Sequence, residues 1–163
     1  MSRAVFDAPV VAAWMVASPV TQNALALKSA HAPLAPSYIM VELANVLWRY
    51  DRVSGLPGDS AAAILPLLRT ELALTPDEAL IDRAFALARR IGEPVFDCLY
   101  VALAMREGVP LVTLNRRLIA AVEEAALAPI IKLRLDGRGE VSPTQCDGPK
   151  PGSPGGPDLG SRP

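Results

Sequence analysis

PVFDCLYVALAM, residues 94–105, followed shortly by PLVTL, residues 110–114, decides the fold. The first run has almost no polar side. Val95, Phe96, Leu99, Tyr100, Val101, Leu103 and Ala104 cover most of a helical circumference, which predicts a helix buried nearly all round. Gly108 stops it, and PLVTL then reads as a short buried strand that ends at Asn115. Asp97 interrupts the apolar pattern near the start of the helix. A carboxylate in such surroundings is costly unless it is paired, hydrogen-bonded or bound to a metal. Either it complements the positive end of the helix or it forms one wall of an acidic metal site. Other carboxylates at matching places decide between these.

Working outward, Ala4 to Phe6 is a short apolar strand with Asp7 at its carboxyl end. Pro9 suits the first turn of a following helix with an inward stripe of Val10, Val11, Trp14 and Met15. Thr21 is the expected N-cap of a second helix that ends at His31, and Pro33 to Ala35 is a second strand. A third helix starts at Pro36 and Ser37 and is broadly apolar, with Glu42 and Asn45 as polar exceptions on one face. Gly55 to Gly58 is a turn, and Asp59 or Ser60 caps a fourth helix that Pro66 is expected to kink or shorten. Leu72 to Leu74 is a strand, and Thr75, Pro76 and Asp77 open a fifth helix that stops at Gly92. After PLVTL come a helix from Arg116 to Ala126 and a last strand, Pro129 to Leu133. Strands alternating with helices predict an α/β fold: a three-layer α/β/α arrangement around a mostly parallel sheet of four to five short strands.

The 163 residues suffice for one domain, and a mean hydropathy of +0.28 excludes disorder for most of the chain. Residues 1–135 are read as that domain. Residues 136–163 hold seven of the 11 glycines and six of the 16 prolines, and are expected to be a disordered tail without chemistry. A net charge of -1 provides no global basic field for nucleic acid, so any such contact must come from local arginines and a metal. Two cysteines, Cys98 and Cys146, do not make a disulfide framework, and a single histidine, His31, argues against zinc sites of the Cys/His kind. Asp7 and Pro9 interrupt the apolar N-terminal region, against a secretory signal. No apolar run approaches a membrane span. A soluble cytoplasmic protein is expected.

In an open parallel sheet, sites form at the carboxyl ends of strands. Asp7 and Asn115 each follow a strand, and Glu42 and Asp97 lie at the starts of apolar helices that can begin at the same edge. Asp7, Glu42 and Asp97 are therefore expected to converge, with Thr113 and Asn115 beside them. Three close carboxylates raise one another's pKa unless a divalent cation screens them. An all-oxygen site favours Mg2+ or Mn2+.

The segments FDAPVVAAWM, VELANVLWR and EPVFDCLYVALAMREGVPLVTLNRRL resemble, in this order, the PIN-domain nucleases. The likeness is greatest to the VapC-type toxins of toxin–antitoxin pairs and covers roughly residues 3–127. It implies a metal-dependent endoribonuclease that hydrolyses RNA phosphodiester bonds. Asp7, Glu42 and Asp97 match the family's first three acids. Thr113 matches the hydroxyl residue ahead of the fourth acidic position. That position is Asn115 here, where many members have Asp, and Pro9 stands where Ser or Thr is frequent. Asp7 and Asp97 would be metal ligands, and Glu42 a ligand or a holder of water. Asn115 would ligate through its carbonyl or orient water, and its neutrality favours one metal over two. Arg116 and Arg117 are candidates for substrate phosphates, with Arg49 and Arg52 behind them. Val10, Trp14 and the third helix offer more apolar surface than a small core needs, and the resemblance implies a homodimer and a cognate antitoxin as partners.

The rival reading is a catalytically weakened PIN-like domain, lacking the fourth acid, that binds RNA or protein. A haloacid dehalogenase-type phosphotransferase would want Asp-x-Asp after the first strand, where Asp7 is followed by Ala8 and Pro9. A response-regulator receiver would want an early acidic pair and a late lysine, and neither is evident.

Overall fold

Strand β1 (Ser2–Phe6) lies in the middle of a five-stranded, all-parallel sheet of order β3-β2-β1-β4-β5. The structure, a computed structural model, describes residues 1–54 and 60–133. The expected turn at Gly55 to Gly58, its cap at Asp59 and the expected tail lie outside the described residues. After β1 come α1 (Ala8–Ala12), α2 (Thr21–Ala30), β2 (His31–Pro36), α3 (Ile39–Ser54) and α4 (Ser60–Glu71). β3 (Ala73–Thr75), α5 (Ile81–Ile91), α6 (Val95–Glu107), β4 (Leu111–Thr113), α7 (Arg116–Glu124) and β5 (Ile130–Lys132) complete the order.

Both neighbours of β1 are parallel to it. Val5 is in register with Leu34 on one side and Leu111 on the other, and Phe6 with Val112. The chain first builds outward from β1 through β2 to β3, then crosses back to place β4 on the opposite side. That reversal makes the carboxyl ends of β1 and β4 the switch point of the sheet, where such folds open a crevice. Central parallel strands are covered on both faces and read as continuous apolar runs. Ala4, Val5, Phe6, Leu111 and Val112 are accordingly all buried.

Helix α6 packs against β1, β2 and β4 and is the most enclosed helix of the fold. Every residue from Cys98 to Ala104 is buried, as its pattern predicts. Phe96, at its first turn, is 45% exposed and stacks on Tyr38 at 6.2 Å between ring centres. Gly92 and Gly108 end α5 and α6 in the left-handed region, at φ 73° and 63°, where a side chain would be strained.

Several local expectations are corrected. α1 stops at Ala12, because the bonds from Trp14 to Val11 and from Met15 to Ala12 tighten its end. Trp14 therefore leaves the helix and packs edge-on against Phe6 at 5.4 Å. Val10 is wholly buried and contributes no spare apolar surface. That surface lies on α3, where Val41 and Trp48 are exposed while Ile39, Leu43 and Leu47 are buried. Thr21 does not cap α2. It is the first helical residue, and its hydroxyl accepts from Ser18 N at 2.9 Å. Pro66 does not end α4, which continues to Glu71. α5 begins only at Ile81, after a 3-10 turn at Asp77–Ala79. Asp77 is engaged elsewhere: its carboxylate accepts from Tyr38 N at 3.0 Å, and its own N–H donates to Ser37 Oγ at 3.2 Å. This reciprocal pair pins the start of α3 to the turn after β3.

Leu103 is fully buried in α6, and Leu103→Ala is expected to lower unfolding free energy by about 2–5 kcal/mol in urea titrations. Val53→Ala, on the exposed side of α3, should change it by no more than about 0.5 kcal/mol.

Candidate active site

Asp7 follows β1 directly and caps α1. It is only 6% exposed, and it and Thr113 are the buried polar residues among those described. Its two carboxylate oxygens are both engaged. Oδ1 accepts from Ala8 N at 2.7 Å, and Oδ2 accepts from the Thr113 hydroxyl at 2.6 Å. Burial raises its pKa, and these two bonds hold the rise in check. Thr113 ends β4, so the register of β1 and β4 brings this donor beside Asp7.

The next turn carries Asn115, the N-cap of α7. Its backbone N–H donates to Thr113 Oγ1 at 3.0 Å. Its side-chain oxygen accepts from Arg117 N and Leu118 N, each at 3.2 Å. Its amide nitrogen donates to Asp97 Oδ2 at 3.3 Å. Asp97 lies in the first turn of α6, half-buried, with its pKa raised to about 6. Burial is the largest cause, followed by the charges of Asp7 and Glu93, while Asn115 and Arg117 oppose the rise. Asp97 is not the N-cap of α6. That place is held by Pro94, without a side-chain cap bond.

Glu42 reaches the same region from the first turn of α3. The Tyr100 hydroxyl donates to its Oε2. Burial pushes the Glu42 carboxyl up to about 7, the Tyr100 bond pulls it down, and the charges of Asp7 and Asp97 push it further up. Burial, and then the charge of Glu42, raise the Tyr100 phenol, which keeps its proton as donor. The three acids thus come from separate parts of the chain, and the charge of Asp7 acts on both Glu42 and Asp97.

Two members of this surrounding were not singled out from sequence. The sequence pattern makes Tyr100 an apolar face residue, although its position three after Asp97 puts both on one side of α6. Glu93, four residues before Asp97, has a side chain only 9% exposed and pairs with Arg117 at 3.6 Å. Arg116 and Arg117 are both exposed at the start of α7. Arg49 is exposed further along α3, and Arg52 stacks over Trp48 at 5.2 Å. Cys98, beside Asp97, is pushed up to about 11 by burial and stays a thiol.

In chemistry, the donor set suits a hard divalent cation: anionic oxygens that resist ionising together. As the side chains stand, no group of three or more His, Cys, Asp or Glu residues among those described closes around an ion. The Asn115 carbonyl, one of the expected ligating oxygens, here accepts from two backbone N–H groups of α7.

The sequence pattern of the PIN domain matches residues 4–124. Ribonuclease VapC3 of Pyrobaculum aerophilum is 39% identical over 80 residues, which span 47% of this chain and 61% of that protein. A crystal structure of a Pyrobaculum aerophilum protein superposes with a TM-score of 0.60 at 21% identity, covering 79% of this chain and 89% of the other. A toxin–antitoxin complex from Klebsiella pneumoniae contains a chain with a TM-score of 0.55 at 16% identity, covering 69% and 86%. At these identities the structural likeness speaks for the fold.

Glu42 and Asp97 keep their protons to higher pH in the fold than in the unfolded chain, with values of about 7 and 6 against 4.5 and 3.8. Between those limits the native state binds more protons, so stability falls as pH rises. In chelator, urea midpoints should be higher near pH 5 than near pH 8. Glu42→Gln, which retains an acceptor for Tyr100, should flatten the upper part of that slope.

Proposed function

Because the chain belongs to the PIN domain family over residues 4–124, we propose that it is a VapC-type, divalent-metal-dependent endoribonuclease. The observation that supports this reading is the hydrogen-bonded run at the switch point of the sheet from Asp7 through Thr113 and Asn115 to Asp97, with the charges of Asp7 and Asp97 acting on Glu42 beside it. The relative named as a ribonuclease supports the same reaction class.

Asp7, Asp97 and Glu42 would hold Mg2+ or Mn2+, which supplies charge neutralisation and Lewis acidity toward the phosphoryl oxygens. The chain's own groups set the rest. Asp7 is locked by Thr113 and Ala8 N, so its carboxylate has no need to reorient when substrate arrives. Glu42, whose Oε2 accepts from the Tyr100 hydroxyl, would ligate the metal or hold a water beside it. Arg116 and Arg117, exposed at the start of α7, would meet the RNA phosphates. Pairing with Glu93 holds the Arg117 guanidinium on the side of Asp97.

A cognate antitoxin and a second copy of the chain are the proposed protein partners, and the cytoplasm the proposed compartment. Val41 and Trp48, 62% and 54% exposed on the helix that carries Glu42, offer apolar surface for such a contact. The toxin–antitoxin complex among the fold neighbours agrees with this. No helix among the described residues is long and apolar enough to cross a membrane.

Incubation with a panel of tRNAs and rRNA fragments should show cleavage with Mg2+ or Mn2+ that chelator abolishes. Asp7→Asn and Asp97→Asn should each reduce the rate by about a hundredfold or more while the circular dichroism spectrum is kept. Undiminished cleavage by both variants would overturn the assignment.

A further inference from the structure

We infer that Asn115 is a positioning residue: it gives no oxygen to a cation, and it fixes the Asp97 carboxylate through its amide N–H while its carbonyl caps α7. This deepens the metal-dependent reading proposed above and rests on it for its effect on metal affinity. The orientation of the amide follows from its partners. Two backbone N–H groups, of Arg117 and Leu118, point at one end, and a carboxylate oxygen of Asp97 faces the other. Turning the amide over would set its NH2 against two donors and its oxygen against a carboxylate. Only the observed orientation satisfies both ends.

The side chain meets two demands that few residues meet together. Aspartate would cap α7 equally well, but it would face Asp97 with like charge and no donor. Serine and threonine would cap from a shorter arm that falls short of Asp97. Asparagine has an acceptor for the helix and a donor for the acid, on the same short side chain.

The contact also completes a chain of hydrogen bonds along the edge of the sheet. Thr113 donates to Asp7 and accepts from the Asn115 N–H, and the Asn115 amide donates to Asp97. Two residues, Thr113 and Asn115, therefore set where both acids point. Partners of this kind, which orient a ligand without touching the metal, typically account for about 10–100-fold in metal affinity.

The test uses the full chain, Mn2+ titration by calorimetry, and thermal melting in chelator. Asn115→Ser keeps a capping oxygen and loses the reach to Asp97. It should melt close to wild type and bind Mn2+ about tenfold more weakly or worse. Asn115→Asp keeps the cap at full length and replaces the donor by a charge. In chelator it should melt several degrees below wild type. Unchanged Mn2+ affinity in Asn115→Ser, or a wild-type melting point for Asn115→Asp in chelator, would overturn the inference. A wild type that takes up no Mn2+ while Asn115→Asp still melts low would instead overturn the metal-dependent reading and leave Asn115 as the holder of Asp97.

Discussion

A carboxylate buried at the end of the central strand sets the terms for its neighbourhood. Asp7 has little access to water, and an unpartnered charge there would cost several kcal/mol. Its partners come from the residue after it and from Thr113, 106 residues away. The second partner exists only because β4 lies in parallel beside β1. The crossover that puts it there runs through α6, whose apolar circumference lets it lie across three strands at once. The pattern that makes α6 a buried helix thus also delivers Asp97 and Tyr100 to the crevice.

The acids of the site are held by different means, and the difference has chemical weight. Asp7 is held rigidly by two short bonds, Asp97 by one longer bond from Asn115, and Glu42 by the Tyr100 phenol. Burial raises all three, and the charge of Asp7 adds to the rise at Asp97 and at Glu42.

The parts of this arrangement that follow from local pattern were legible in the sequence. The runs AVF and LVT, the apolar face of PVFDCLYVALAM, and the stops at Gly92 and Gly108 each express a preference of a few adjacent residues. That Glu42 and Asp97 come within reach of the charge of Asp7 was legible because strand ends and helix starts share one edge in such sheets. What escaped depends on partners far away in sequence. Asp77 looked like the opening of a helix, but it serves Ser37 and Tyr38, some 40 residues earlier. Tyr100 counted as one more apolar surface until Glu42 arrived from α3 to accept its hydroxyl proton. Asn115 could be seen to lack a charge. Which end of its amide faces Asp97 is settled only by the first turn of α7, which it caps.

The order of the strands has a consequence for how the chain comes into being. Asp7 leaves a ribosome before Glu42, and the turn at 113–115 emerges only some seventy residues after Glu42, near the end of the described fold. Until β4 inserts beside β1, Asp7 has no Thr113, Asp97 has no Asn115, and the acids are separate solvated carboxylates with ordinary acidities. A contact of such long sequence separation forms late in folding. An unfinished chain therefore carries the acids of the site without the site, and whatever chemistry they perform waits for the sheet to close on its first strand.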